Sequence, residues 1–330
     1  MGVADESARF LRDTEASRIG SLTLDQLEAD IRWLAHAYLN QPLAELFFPT
    51  VQLRNVIFTL LERNRYPEQA RQLYLIAGQT CLLLAKASKD FGSLAAAETH
   101  ARTAWLCAEL ADNHDLRAWV RAHQGIIAYW DSRPADTVRL VEDAQRFPAR
   151  GTVTAFLPCL HARAAGQMSD ARTVVADLGA AATAVDQVQT DDLAGGFFFF
   201  LPGEQAVFAA EAYLGLSDGR HAEQHARDAV AFLQAVPPED LFLHNLHAAQ
   251  CDLATSLLSQ GQIEGVDEAL RPVLDTPPQH RSMPLIRRVL TLDRGLLAHS
   301  TAGGTPLASQ LHDEITEFCA HPLTPQLPNA

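Results

Sequence analysis

Nothing in the 330-residue sequence is long and apolar enough to cross a membrane. Residues 72–85, among its longest charge-free windows, fall well short of the roughly 20 residues that a span requires. Cysteine is scarce and scattered: Cys81, Cys107, Cys159, Cys251 and Cys319 stand singly, with no C-x-x-C pair. That pattern argues against a disulfide frame or a zinc knuckle and reads as small apolar filling in a reducing cytosol. Aromatic residues make up only 7% of the chain, and β-branched residues are few, which disfavours sheets and leaves helices. Positive charge is also in deficit, with 26 Lys and Arg against 40 Asp and Glu and a formal net charge of -14. Such a surface repels a phosphate backbone, so no direct nucleic-acid binding is expected; the acidic excess reads as a solvated surface. The polar residues 1–17 lack the apolar core of a secretory signal, and a cytoplasmic location is the expectation. No Gly-rich phosphate loop, no C₂H₂ pattern and no pair of carboxylates at helical spacing inside the predicted groove occurs. Neither a cofactor nor a metal site is expected.

What is present is a repeat. Five times a small residue is followed after seven positions by Gly or Ser, after five more by Ala, Thr or Val, and then by apolar residues four and seven further on. The copies are Ala85, Gly92, Ala97, Ala101, Ala104; Gly125, Ser132, Thr137, Val141, Ala144; and Cys159, Gly166, Ala171, Val175, Leu178. Two more are Ala210, Ser217, Ala222, Ala226, Ala229 and Ala254, Gly261, Val266, Leu270, Val273. Small residues at the first and third positions let two antiparallel helices approach, Gly or Ser occupies the turn, and the last three positions share one stripe. This is the logic of the tetratricopeptide repeat, whose units bury their apolar faces only by stacking. The expected fold is all-α: a tetratricopeptide-like helical-repeat superhelix, an α-solenoid, forming a single elongated domain.

Along the chain, a polar lead (1–20) precedes N-terminal helices (21–77), five divergent repeats (78–276), and C-terminal capping helices with a tail (277–330). Thr23 with Gln26 predicts a capping box, Pro42 and Pro49 bracket a short piece, and residues 301–306 read as a linker. The largest insertion, near 186–203, carries Gly195-Gly196 and then Phe197, Phe198, Phe199 and Phe200. Four consecutive aromatics cannot share one face, so they predict either a packing plug or a lid hinged at the two glycines.

In such stacks the first helix of each unit lines the concave wall. Phase transfer places Trp119, Ile126, Tyr129 and Trp130 there from the second unit, and Phe156, Leu160 and Arg163 from the third. The first unit offers Lys86 and Lys89, the fourth Glu204, Val207, Glu211 and Leu214, with Phe198 and Phe200 from the insertion. Aromatic rings beside Lys86, Lys89 and Arg163 suit an apolar ligand with an anionic handle, or a peptide end. Plain packing of a tight superhelix also uses large residues at such positions.

Two motifs tempt towards chemistry. Gly215-Leu216-Ser217-Asp218-Gly219 matches the hydrolase elbow pattern but falls at a predicted helix-to-helix turn, where the elbow geometry is absent. His221 with His225, and His244 with His247, have close spacing but no third ligand, so solvated or hydrogen-bonded histidines are expected.

One block goes further. Residues Thr103-Ala104-Trp105-Leu106-Cys107-Ala108, Leu116-Arg117-Ala118-Trp119-Val120-Arg121, 124–130 and Arg133-Pro134-Ala135 resemble a stretch of actinobacterial Xre-type helix-turn-helix regulators, in their C-terminal tetratricopeptide-like half. The resemblance continues at Arg150-Gly151-Thr152-Val153, Leu157-Pro158, residues 269–275 with Pro277-Pro278, and Leu285-Ile286-Arg287-Arg288-Val289, spanning most of 20–295. In that family a DNA-binding domain precedes the region; here only the polar lead does, and the phenylalanine run replaces a Pro-rich segment. The resemblance implies a non-catalytic sensing or binding module for a small molecule, a peptide or a protein partner, and a homodimer is compatible with it. The alternative is a repurposed biosynthetic enzyme that positions an apolar substrate, with Glu204, Glu211 and Arg163 as proton-transfer or charge-stabilising groups.

Overall fold

The structure, a computed structural model, describes residues 2–188, 193–299 and 304–323, which form fifteen α-helices and no strand. Three helices come first: α1 (Gly2–Ala16), α2 (Ser21–Ala37) and α3 (Leu43–Arg63). Five helical hairpins follow. They are α4 (Pro67–Asp90) with α5 (Leu94–Leu110), α6 (His114–Trp130) with α7 (Pro134–Ala144), and α8 (Val153–Gln167) with α9 (Ala171–Val185). The last two are α10 (Gln205–Gly215) with α11 (Gly219–Ala235), and α12 (Leu243–Ser259) with α13 (Ile263–Leu274). Helices α14 (Met283–Ala298) and α15 (Pro306–Ala320) complete the single domain. None of the described helices is long and apolar enough to cross a membrane.

Seven connections are three residues long, and all but the α3–α4 link hold their middle residue in the left-handed region: Gly92, Asp112, Ser132, Ser169, Ser217 and Gly261. The following amide donates to a carbonyl five residues back, as in Ser93 N to Ser88 O (2.8 Å) and Asp218 N to Tyr213 O (2.9 Å). These are Schellman closures, which satisfy carbonyls at the end of one helix and reverse the chain. Asn113, Asp170 and Asp218 then accept an amide of the next helix through their side chains, so one turn ends a helix and starts another.

Helices α4, α6, α8, α10, α12 and α14 pack on one another in that order and form an inner layer, with α5, α7, α9, α11 and α13 outside it. Burial follows the layers. Helix α4 buries every residue from Ile76 to Asp90, whereas α5 buries little beyond Ala97, Ala101, Ala104, Cys107 and Ala108. The repeat stripes of the first, second, fourth and fifth units are buried as the spacing predicts.

The third unit shifts by three residues. Ser169, not Gly166, holds the positive φ, and the buried stripe is Val174 and Ala181 with Leu178 partly covered, while Ala171 and Val175 are exposed. Gly166 lies inside α8 for a different reason. A Cβ there would overlap the backbone of Ala212, so its absence lets α8 and α10 touch main chain to main chain. Other local expectations also change. Helix α2 starts at Ser21 behind Gly20 with no side-chain cap, and Gln26 donates to Asp30 instead of closing a box. Pro49 lies within a continuous α3, and most of the polar lead is helical. Residues 189–192, residues 301–303 of the predicted linker and the tail beyond 323 lie outside the described residues.

The chain does not extend as an open array. Leu243 N donates to Leu39 O (3.0 Å), Asn40 Nδ2 to Pro238 O (2.7 Å), and Arg287 Nη1 to Trp130 O (2.7 Å). Helix α14 also touches α4, so the N- and C-terminal thirds meet and close over the inner layer.

Two glycines separate backbone approach from helix propensity. Gly166→Ala should lower stability by about 1–3 kcal/mol, because α8 must move off α10. Gly179→Ala, on open α9 surface with nothing near its missing Cβ, should raise it by about 0.5–1 kcal/mol. Urea unfolding of both variants measures the two signs; equal effects would contradict the close contact.

Candidate functional site

Helical spacing delivers one stripe from each inner helix to a common cavity of about 70 Å³. Lys86 and Lys89 come from α4; Trp119, His123, Ile126 and Trp130 from α6; Phe156 and Arg163 from α8. Helix α10 adds Val207, Phe208 and Glu211, with Glu204 at its entry, and Arg288 of α14 reaches in from the far side.

The phenylalanine segment forms one wall. Gly195 and Gly196 both take positive φ, and a Cβ on Gly196 would stand 2.6 Å from the Ala35 backbone, so the segment lies directly on α2. Phe197, Phe198 and Phe200 are buried, while Phe199 is 43% exposed. Phe197 packs on His123 with ring centres 4.8 Å apart, Phe200 on Phe156 at 5.1 Å, and Phe200 N donates to Thr152 Oγ1 (2.8 Å).

Of the residues predicted for the wall, Lys86, Lys89, Trp119, Ile126, Trp130, Phe156, Arg163 and Phe200 line this cavity, as do Glu204 and Glu211. Leu160 and Phe198 do not; both are fully buried behind the wall. Tyr129 and Leu214 instead border a separate groove of about 610 Å³ on the other side of Arg288 and Glu211. Sequence reasoning missed His123, Phe197, Phe208, Phe242, His244, Asn245 and Arg288. His123 was legible, lying four residues from Trp119 on the same stripe. Phe242 precedes α12 and Arg288 belongs to α14, outside any repeat phase.

Two buried ionic clusters brace the cavity. Asp90 contacts Lys86 and lies 2.7 Å from Lys89 Nζ, and the Tyr38 hydroxyl donates to it (2.9 Å). Burial opposes ionisation of Asp90, but the two ammoniums outweigh it and hold its carboxyl well below the usual range. Burial in turn pulls Lys89 down to about 7 despite Asp90. In the second cluster Glu211 lies 2.8 Å from Arg163 Nε and 2.9 Å from Arg288 Nη2, and accepts from the Tyr129 hydroxyl (3.1 Å). Arg288 Nη1 pairs with Asp252 at 2.6 Å, and the Arg163 guanidinium stacks 3.6 Å over the Tyr129 ring. Glu211 is therefore held ionised against the pull of burial, which suits a clamp on two arginines better than a proton carrier.

Glu204 differs. It is 4% exposed, accepts from Asn245 Nδ2 (2.8 Å) and Leu201 N (3.0 Å), and has no ion-pair partner among the described residues. Burial pushes its carboxyl up to about 7. His123 shows the converse: burial holds it down to about 3, so it is neutral and donates from Nδ1 to the Trp119 carbonyl (3.0 Å). Trp119 Nε1 and Arg163 Nη2 are buried donors without a hydrogen-bond partner among the described residues.

The tempting motifs resolve into packing. Ser217 is the left-handed residue of the α10–α11 turn, and His221 and His225 stack on the Tyr213 ring at 5.0 and 5.4 Å. His247 meets Thr276 Oγ1 at 3.2 Å. Among the described residues no group of three or more His, Cys, Asp or Glu could hold a metal ion.

Glu204 has a definite stability signature. Its folded pKa lies above the unfolded value, so the wild type loses stability as pH rises from about 4.5 to about 7, by roughly 3 kcal/mol in all. Glu204→Gln should remove that slope and be the more stable protein at pH 8, with the gap closing towards pH 4.5. Urea unfolding at pH 5 and pH 8 measures it; the same difference at both pH values would contradict the uncompensated carboxyl.

No protein-family model matches the chain, and no curated protein is detectably similar to it.

Proposed function

We propose that this protein is a non-catalytic sensing module of tetratricopeptide-like build, akin to the C-terminal half of Xre-type regulators, that encloses a small apolar molecule carrying an oxygen-bearing end. Support for the repeat reading comes from the hairpins joined by matching three-residue turns and from the ordered inner layer. The observation that carries the ligand reading is the pair of buried donors, Trp119 Nε1 and Arg163 Nη2, on side chains that line an aromatic cavity. A buried donor left without an acceptor costs about 1–3 kcal/mol, and a carboxylate or carbonyl would recover it. Closure of the chain over the inner layer favours a small molecule above a folded protein partner.

The enzyme reading draws on Glu204, whose raised pKa is typical of acid–base residues. It gains nothing from Arg163 and Glu211, which are committed to each other.

An isosteric pair tests the proposal on the whole protein. Propionate and 2-methylbutane share one shape, a carboxylate in the first standing where the second has an isopropyl group, and both are small enough for a cavity of about 70 Å³. The carboxylate should bind at least tenfold tighter in thermal-shift and fluorescence titrations, and Trp119→Phe, which keeps a ring but loses the donor, should shrink that advantage. Equal binding of the two, or binding of neither, would refute the oxygen-bearing ligand.

A further inference from the structure

Beside the inner cavity lies a larger chamber of about 370 Å³, the size at which small-molecule sites begin. The two share Phe199, Glu204 and Phe242. The rest of the outer chamber comes from His36 of α2 and Leu39 just beyond it, from Gly195, Gly196 and Leu201 of the phenylalanine segment, and from Val236, Pro237 and Asp240 of the α11–α12 connection. Its charge is one-sided: Glu204 and Asp240 are acids, and among the described residues no Lys or Arg lines it, His36 being the one basic side chain there. The inner cavity is richer in positive charge, with Lys86, Lys89, Arg163 and Arg288 beside Glu204 and Glu211 on its walls.

We propose that the outer chamber binds a small organic cation, an alkyl- or arylammonium, whose charge pairs with Glu204 and whose apolar body lies against Phe199 and Phe242.

Three features converge on that class of ligand. Glu204 is a buried carboxyl with one hydrogen bond to each oxygen, which leaves acceptor capacity on both. Asn245 and the Leu201 amide fix its orientation without neutralising it, whereas Asp90, Glu211 and Asp252 all have a cation in contact. A buried carboxylate without a counter-charge is costly, and a cationic ligand is the group that relieves it. The second feature is aromatic. Phe242 already receives a cation on its ring, with Lys86 Nζ 5.4 Å from the centroid, and Phe199 stands half-exposed at the chamber. An ammonium beside such rings gains further attraction, and Lys86 itself is paired with Asp90 and so competes weakly. Third, the rim carboxylate Asp240 would repel an anion, which gives the chamber the opposite selectivity to the inner cavity. The inference stands apart from what fills the inner cavity.

The probes are phenethylammonium, 2-phenylethanol and phenylacetate, titrated calorimetrically into the whole protein at pH 8 and low salt. The ammonium should bind at least tenfold tighter than the alcohol, and phenylacetate should bind most weakly. Glu204→Gln preserves shape and removes charge. It should erase the preference for the ammonium over the alcohol, with circular dichroism showing an intact fold. Phe199→Ala should weaken ammonium and alcohol alike. No binding of the ammonium, equal affinity for all three probes, or a preference that survives Glu204→Gln would overturn the assignment. None of these outcomes touches the propionate comparison, so the two readings fail separately.

Discussion

Main-chain contact between inner helices is the constraint on which the molecule depends. At Gly166 and Gly215, α8 and α10 meet without room for a Cβ on either side, and a wider gap would pull Arg163 away from Glu211. That ion pair joins the same two helices and extends through Arg288 to α14. Packing and charge therefore impose one spacing. The three-residue left-handed turns supply the rest, since each reverses the chain in the same way, and five of the six fold an outer helix back on its inner one.

Charge inside the molecule is sorted by location. Asp90 serves two lysines and a tyrosine, and Glu211 serves two arginines and a tyrosine, so most buried charge is spent on holding helices together. Glu204 has no counter-charge, and Trp119 Nε1 and Arg163 Nη2 have no acceptor, on side chains that line the aromatic cavity. Most structural charges are paired, although Arg288 Nε and Asp252 Oδ2 within the same clusters also lack a hydrogen-bond partner among the described residues. Cys81, Cys159 and Cys251 fit the same division, because burial pushes their thiols up and makes them inert packing atoms.

Helices, stripes and turns were legible in the sequence because small-residue spacing repeats, and the resulting phase found ten of the cavity's residues. The phase failed where one residue type served two purposes. Gly166 reads as a turn glycine but is a contact glycine, and the slip of three residues it caused explains Leu160. In the shifted register Phe156 and Arg163 occupy the same phase as Trp119 with Ile126, and as Glu204 with Glu211. Leu160 falls between those positions and packs beside Gly125 of α6. Phe242 and Arg288 were not legible, since they reach the cavity only because the chain closes on itself, and no local pattern encodes closure. The phenylalanine run was read correctly as unable to share a face, but which ring stays exposed depends on the Gly196 contact with α2.

The most direct test is the indole N–H signal of Trp119 in a nitrogen–proton correlation spectrum, with the other three tryptophans as internal references. Trp119 is buried and its N–H has no protein acceptor, whereas Trp33 is 54% exposed. On titration with propionate the Trp119 signal should move downfield as its N–H gains an acceptor, with Trp33 unchanged. A Trp119 signal that stays still while the ligand binds elsewhere, or that never responds, would contradict a ligand cavity inside this helical layer.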